Sequence, residues 1–267
     1  MTHRKLAWLT DIHLDFLSDA QIAAFGAEVA RTGADGVILT GDISVAPALG
    51  RHLAKLVSAW RMPCWFVAGN HDYYGASVAK MRDALTQISA LEPRLRWLPA
   101  SGVVKLDRDT ALVGVDGWGD GRLGNALTTP ILFNDAVRID ELKTETREEL
   151  VRVVGELGRR EAEKLRALLG EALAPHRHVY VATHIPPFRE ATTHRGHVCG
   201  DDFLPWMTCH AVGEALRELA ASHPDRKITV LAGHTHDRCR VQITDNLEVR
   251  VGAAEYGHPA VEEVLHL

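Results

Sequence analysis

Five short blocks of the chain carry side chains able to hold a metal ion: Asp11-Ile12-His13, Gly41-Asp42, Gly69-Asn70-His71-Asp72, Thr183-His184 and Gly233-His234-Thr235-His236. Their donors are carboxylate, amide and imidazole, with no cysteine. Such a hard-to-borderline set suits manganese, iron or zinc rather than copper(I) or an iron–sulfur cluster. Seven of these residues, Asp11, His13, Asp42, Asn70, His184, His234 and His236, are too many for one tetrahedral ion with an open position. They suffice for two ions sharing a carboxylate. Two ions about 3.5–4 Å apart can activate a bridging water and stabilise both oxygens of an in-line displacement at phosphorus. The chemistry expected of the set is hydrolysis of a phosphate ester.

The blocks are spread over residues 11–236, so the fold has to gather them. Each stands directly after a short apolar run, at residues 5–10, 36–40, 64–68, 178–183 and 227–232, and each run reads as a buried strand. Residues just past the carboxyl ends of strands in an α/β sheet converge on one rim, where ligand sites form. The glycines at 41, 69 and 233 allow sharp turns beside the ligands. Helical periodicity separates the strands. One helix starts at Asp19 behind a Ser18/Gln21 capping box, and others cover 48–60, a Ser77-capped stretch to 91, 147–173 and 211–222. The alternation predicts a layered α/β fold. Runs at 103–106 and 111–116 flank a turn and suggest a hairpin. Three closing runs, 238–243, 247–251 and 260–265, are expected to pair antiparallel, with Asp245-Asn246 as a turn. Trp8, Trp60, Trp65 and Trp97 read as core. No repeat, low-complexity tract or linker interrupts the chain, which predicts one domain over residues 1–267.

In their order, DIH, GD, GNHD, TH and GHTH resemble the five-block signature of the calcineurin-like metallophosphoesterases. DxH or GD alone is a weak signal; GNHD and GHTH together are specific. The resemblance implies an αββα sandwich of two mixed sheets flanked by helices, holding two divalent or trivalent ions. It would place Asp11, His13 and His236 on the first ion, Asn70, His184 and His234 on the second, and Asp42 between them. His71 matches the family's catalytic histidine, near the leaving oxygen rather than on a metal. There a protonated imidazole, held charged by Asp42 or a neighbouring carboxylate, would stabilise the transition state or protonate the leaving group. Two departures bear on substrate class rather than metal binding. No acidic residue follows Gly41-Asp42 in Ile43-Ser44-Val45, and the GNH block ends in Asp72 rather than glutamate.

The expected substrate is a small organic phosphodiester, with cyclic nucleotides and glycerophosphodiesters as examples. A phosphomonoesterase, a metal-dependent nuclease and a non-catalytic scaffold of the same fold are the rival readings. A formal net charge of -5 gives no basic surplus for a nucleic-acid backbone, which argues against the nuclease. The presence of all seven ligand positions and His71 argues against the scaffold. Taken singly, each block has an ordinary explanation: a turn for Asp11-Ile12-His13, a helix N-cap for Asp42, a core histidine for His184. Five of them, each after a strand, do not.

Two irregular segments, 117–145 and 185–209, are candidates for a cap or lid, and residues 127–142 for a cap or dimer contact. In the first, Arg122 could clamp a phosphate and Asn125, with Asp120, could line the pocket. In the second, His194, Arg195 or His197 could reach the substrate. His194, His197 and Cys199 lie too close along one loop to make a good tetrahedral zinc site. His3, His52, His176, His178, His210, His223, His258 and His266 match no block and read as structural or surface residues. The 46% hydrophobic and 24% charged composition is ordinary for a globular protein. Four cysteines without CxxC spacing argue against a disulfide framework. The apolar stretch near the start is too short for a secretory signal, and no window is long enough to span a membrane. A cytoplasmic protein is expected.

Overall fold

Along β1 (Lys5–Leu9) the side chains alternate between two buried layers, Leu6 and Trp8 in one and Ala7 and Leu9 in the other. This two-sided burial is why the strands read as unbroken apolar runs rather than alternating ones. After α1 (Asp19–Arg31), β2 (Gly36–Thr40) repeats the split, with Val37 and Leu39 on one face and Ile38 on the other. So does β3 (Cys64–Val67), which follows α2 (Ala46–Trp60). The computed structural model describes residues 4–267, so His3 lies outside the described residues.

The chain continues through α3 (Val78–Leu91), β4 (Leu95–Trp97), α4 (Leu98–Ser101), β5 (Val104–Lys105), β6 (Thr110–Gly114), α5 (Asp135–Arg138) and α6 (Arg147–Leu173). Then come β7 (His178–Ala182), the small hairpin β8 (Thr193–His194) and β9 (His197–Val198), α7 (Leu204–Met207) and α8 (His210–Ser222). Four strands close it: β10 (Lys227–Ala232), β11 (Cys239–Thr244), β12 (Leu247–Val251) and β13 (Glu263–His266). One sheet has the order β13-β1-β2-β3-β4 and the other β11-β12-β10-β7-β6-β5. In the first, β1 to β4 are parallel and β13 is an antiparallel edge. In the second, β12, β10, β7 and β6 are parallel between antiparallel edges β11 and β5.

Three apolar layers result. Ile22, Phe25 and Val29 of α1 and Leu49, Leu53 and Leu56 of α2 pack on the outer face of the first sheet. Leu6, Trp8, Ile38, Trp65, Leu112, Tyr180 and Leu231 fill the space between the sheets. Leu165, Leu169 and Leu173 of α6 and Val212 and Leu216 of α8 cover the second sheet. This is the αββα sandwich with mixed sheets. A one-residue slip of any central strand would exchange its two layers, so the pattern also fixes register.

The Ser18/Gln21 capping box forms in full at α1, and Ser77 and Thr146 cap α3 and α6. One expected pairing is corrected. β11 and β12 form the antiparallel hairpin, but β13 leaves them and pairs with β1 in the other sheet, with Ala7 opposite Val264. Among the described residues no helix is long and apolar enough to cross a membrane.

Candidate metal centre

The parallel strands β1, β2 and β3 of one sheet and β7 and β10 of the other end on a common rim, and the five blocks begin there. The two sheets are tied at that rim by His184, whose Nδ1 lies 2.9 Å from the carbonyl oxygen of Thr40 at the end of β2. A carbonyl only accepts, so Nδ1 carries the proton and Nε2 presents a lone pair. That lone pair faces Asn70 Oδ1 at 3.1 Å and Asp42 Oδ1 at 3.3 Å. Asn70 Oδ1 also lies 3.1 Å from His234 Nδ1.

The Asn70 amide is held by two residues that no block contains. Its Nδ2 donates to Asp135 Oδ1 at 2.8 Å and to Tyr74 Oη at 3.2 Å, and Tyr74 itself donates to Asp135 Oδ1 at 2.6 Å. The amide oxygen therefore points into the site. His184 Nε2 thus faces two oxygens, Asn70 Oδ1 and Asp42 Oδ1, and of these three atoms only the Asp42 carboxyl could carry a proton. A cation reconciles them, because ligands about 2.0–2.2 Å from one ion stand roughly 3 Å apart.

The ligand atoms of Asp11, His13, Asp42 and His236 lie within 4.8 Å of one another and form a second group. His13 Nε2 is 3.2 Å from His236 Nε2, and His236 Nε2 is 3.3 Å from Asp11 Oδ1. Asp42 joins the groups: its Oδ2 lies 3.7 Å from His13 Nε2 while its Oδ1 faces His184. All seven candidate ligands come together in this way, and their donor chemistry fits two hard-to-borderline cations.

Electrostatics point the same way. Burial pushes His13 down to about 3 and lowers His184 and His234 too, so these imidazoles are neutral and their lone pairs available. Burial, together with the nearby Asp11 and Asp72 carboxylates, pushes Asp42 well above the usual carboxylate range. Burial opposes charge on Asp11 as well, but His236 and a hydrogen bond from Thr10 hold it below that range. A buried carboxylate cluster of this kind gains most from positive charge placed among it.

The backbone is strained where the ligands sit. Seven described non-glycine residues have positive φ, and five of them are Asp11, His13, Asp42, His234 and His236. Left-handed conformations cost non-glycine residues free energy and persist where the surroundings over-determine them. Gly41 supplies the turn expected of it, with φ of 87°. Gly69 and Gly233 act differently: a Cβ on Gly69 would stand 2.2 Å from Asp42 Oδ1, and one on Gly233 2.1 Å from Asp11 Oδ2. They permit close approach rather than an unusual turn. Asp72 stitches two blocks together, its carboxylate accepting from the backbone nitrogens of Ile43, Ser44 and Gly69 at 2.8–3.0 Å.

His71 faces a cleft of about 320 Å³ together with Asp42, Asn70, His234, His236 and Tyr256. Its ring stacks on Tyr74 at 4.4 Å, and its Nε2 stands 3.9 Å from Asp42 Oδ2. That distance is too long for the hydrogen bond expected to keep the imidazole charged. Burial and the neighbouring His184 instead push His71 down to about 4, so it is neutral near pH 7. Tyr256, which the sequence did not single out, packs over His13 at 4.5 Å and His236 at 5.0 Å.

Of the outlying candidates, only His194 lines this cleft. His197 is its cross-strand partner in the β8–β9 hairpin and borders a neighbouring hollow. Arg122 and Asn125 lie outside the cleft. The Arg122 guanidinium is paired with Glu214 through both terminal nitrogens, and Asn125 faces Asp202 at 3.4 Å. Asp120 is a buried structural carboxylate accepting from Ala211 N at 2.7 Å. His194, His197 and Cys199 do not form such a group: among the described residues, the one set of three or more His, Cys, Asp or Glu whose ligand atoms all lie within 4.8 Å of one another is Asp11, His13, Asp42 and His236.

The same architecture occurs in solved structures. Phosphopantetheinyl hydrolase of Mycobacterium tuberculosis is 14% identical with a TM-score of 0.68, over 99% of this chain and 96% of that one. A dimetal phosphatase from Danio rerio is 13% identical with a TM-score of 0.61, over 94% of this chain and 87% of that one. At such identities the likeness is one of fold. No curated protein matches the chain. The family described as calcineurin-like phosphoesterase matches residues 4–238, which contain all five blocks. The chain therefore belongs to the calcineurin-like phosphoesterases.

Proposed function

We propose that this phosphoesterase uses two metal ions to hydrolyse small organic phosphodiesters. The observation that carries the two-metal reading is Asp42, whose two carboxylate oxygens face separate donor groups, Oδ1 toward His184, which itself faces Asn70, and Oδ2 toward His13. Asp11, His13 and His236 would hold one ion and Asn70, His184 and His234 the other, with Asp42 common to both. Bound there, such ions supply Lewis acidity, activating a water and neutralising charge on the phosphoryl oxygens.

The protein's own contribution is placement. Asp135 and Tyr74 fix the Asn70 amide; Asp72 holds the two loops that carry Asp42 and Asn70; the Thr40 carbonyl fixes the His184 tautomer. His71 is a neutral hydrogen-bonding group on the cleft wall, suited to meet the oxygen on which charge develops as the ester bond breaks.

A diester is favoured over a monoester by the lining of the cleft. Among the described residues that border it there is no lysine or arginine. A monoester dianion or a nucleic-acid backbone would be met by such cations, whereas a singly charged diester has less need of them. The deciding experiment is the ratio of kcat/KM for an aryl phosphodiester to that for its monoester, with manganese-reconstituted protein. A ratio well above one is expected; a ratio well below one would make the enzyme a phosphatase.

A further inference from the structure

Beside the metal cleft lies a hollow of about 390 Å³, bordered by Val198, Cys199, Phe203, Met207, Phe133 and His194. The last three also border the cleft, so the two spaces are continuous. The hollow's character is apolar, and neither the seven candidate ligands nor His71 belong to it. Val198 is 49% exposed and Phe203 45%, apolar side chains left half in water at its rim. Exposed apolar surface next to a reactive centre marks a place where something apolar docks.

Its walls are built rather than loose. The β8–β9 turn is fixed by a 2.9 Å bond from Gly196 N to Asp237 Oδ2, and Cys199 N donates to Thr192 O at 2.9 Å. The other wall, α7, is tied to the glycine-rich segment by a 2.9 Å bond from Gly121 N to the Pro205 carbonyl. A preformed apolar seat opening onto a polar centre selects amphiphilic molecules: a charged head at the metals and an apolar body alongside.

We infer that this hollow seats an apolar alcohol group of the substrate, so that the preferred esters carry a hydrocarbon chain several carbons long on one side of phosphorus. This rests on the phosphoesterase reading above and deepens it. The reaction itself is unchanged: water oxygen forms the new bond to phosphorus, one ester P–O bond breaks, and the departing oxygen leaves as an alcohol after gaining a proton.

The test is a series of methyl, butyl and octyl p-nitrophenyl phosphodiesters, followed by nitrophenol release from manganese-loaded protein below the micellar range. Burial of each methylene predicts kcat/KM rising about two- to fourfold per carbon until the seat is full. Val198→Asp and Phe203→Ser, both at half-exposed positions, should lower the octyl ester's kcat/KM at least about tenfold more than the methyl ester's. A second measurement needs no turnover: octyl phosphonate, but not methyl phosphonate, should slow alkylation of Cys199 mapped by mass spectrometry. A flat series would overturn the inference while leaving the phosphoesterase reading intact, as would a rise equally steep in both variants. A flat series accompanied by self-association would give the hollow to a second copy of the chain. No hydrolysis of any member, methyl ester included, would overturn the phosphodiester reading and this one with it, while turnover of p-nitrophenyl phosphate by the same protein would leave a phosphatase.

Discussion

Asp135 accepts a 2.8 Å hydrogen bond from the side-chain nitrogen of Asn70 across 65 residues of sequence, and that bond turns the Asn70 oxygen toward His184 and His234. Without Asp135 only the 3.2 Å contact to Tyr74 would hold the amide, and the tyrosine would lose its own acceptor. Partners that orient a ligand typically govern metal affinity by about 10–100-fold. Asp135→Ala should weaken retention of one ion by that order while the other stays bound. Metal analysis after stepwise chelation reads it; two ions retained with wild-type affinity would show that Asn70 needs no such support.

Asp42 and His71 make opposite predictions. Asp42→Asn removes a shared negative charge, so at least one metal should be retained poorly and activity should fall by orders of magnitude. Near-normal turnover would sink the bridging assignment. His71→Ala removes a ring that stacks on Tyr74 and is none of the seven candidate ligands, so kcat should drop by about 10²–10⁴-fold with metal content largely intact. Loss of metal in that variant would make His71 a ligand.

The seven candidate ligands were legible because each follows an apolar run within a few positions, and strand ends converge whatever lies between them. Their supports were not legible. Tyr73, Trp97 and Ala68 N all converge on Asp116, and Asn70 on Asp135, through contacts that span 19 to 65 residues and leave no local pattern. Arg122 misled for the same reason: a guanidinium among glycines suits a phosphate, but its partner Glu214 is 92 residues away. The β8–β9 hairpin was hidden by its turn. Arg195 and Gly196 have φ of 52° and 77°, the pattern of a type I′ turn, for which arginine is an uncommon first residue. Likewise, the apolar run of β13 announces a strand but not which edge it joins.

Stability should carry an acid-sensitive component at His178. Its Nε2 lies 2.9 Å from Thr229 Oγ1, and burial, with Lys227 and Arg250 nearby, pushes it down to about 4 from an ordinary value near 6.5. The folded state thus resists a proton that the unfolded chain accepts. The contribution is fully present above pH 6.5 and is lost as pH falls toward 4, with a magnitude on the order of 1–3 kcal/mol. Urea unfolding of wild type and His178→Gln at pH 7 and pH 5 isolates it. The wild type should lose more stability than the variant over that interval; equal losses would place the acid sensitivity elsewhere.

Gly69 and Gly170 provide a matched pair. An alanine Cβ at 69 would stand 2.2 Å from Asp42 Oδ1 and 2.4 Å from the Asp42 backbone nitrogen, and the second cannot move without its loop. Gly69→Ala should therefore cost about 1–3 kcal/mol through overpacking and, by displacing Asp42, reduce metal retention as well. At 170, within α6, a Cβ meets nothing within 4 Å. Gly170→Ala should raise stability by about 0.5–1 kcal/mol through helix propensity and leave the centre untouched. Denaturant unfolding and metal content of the two variants separate a steric requirement from a general intolerance of alanine for glycine. If Gly69→Ala kept both metals and wild-type kcat, the close approach of its loop to Asp42 would not be what holds the bridge in place.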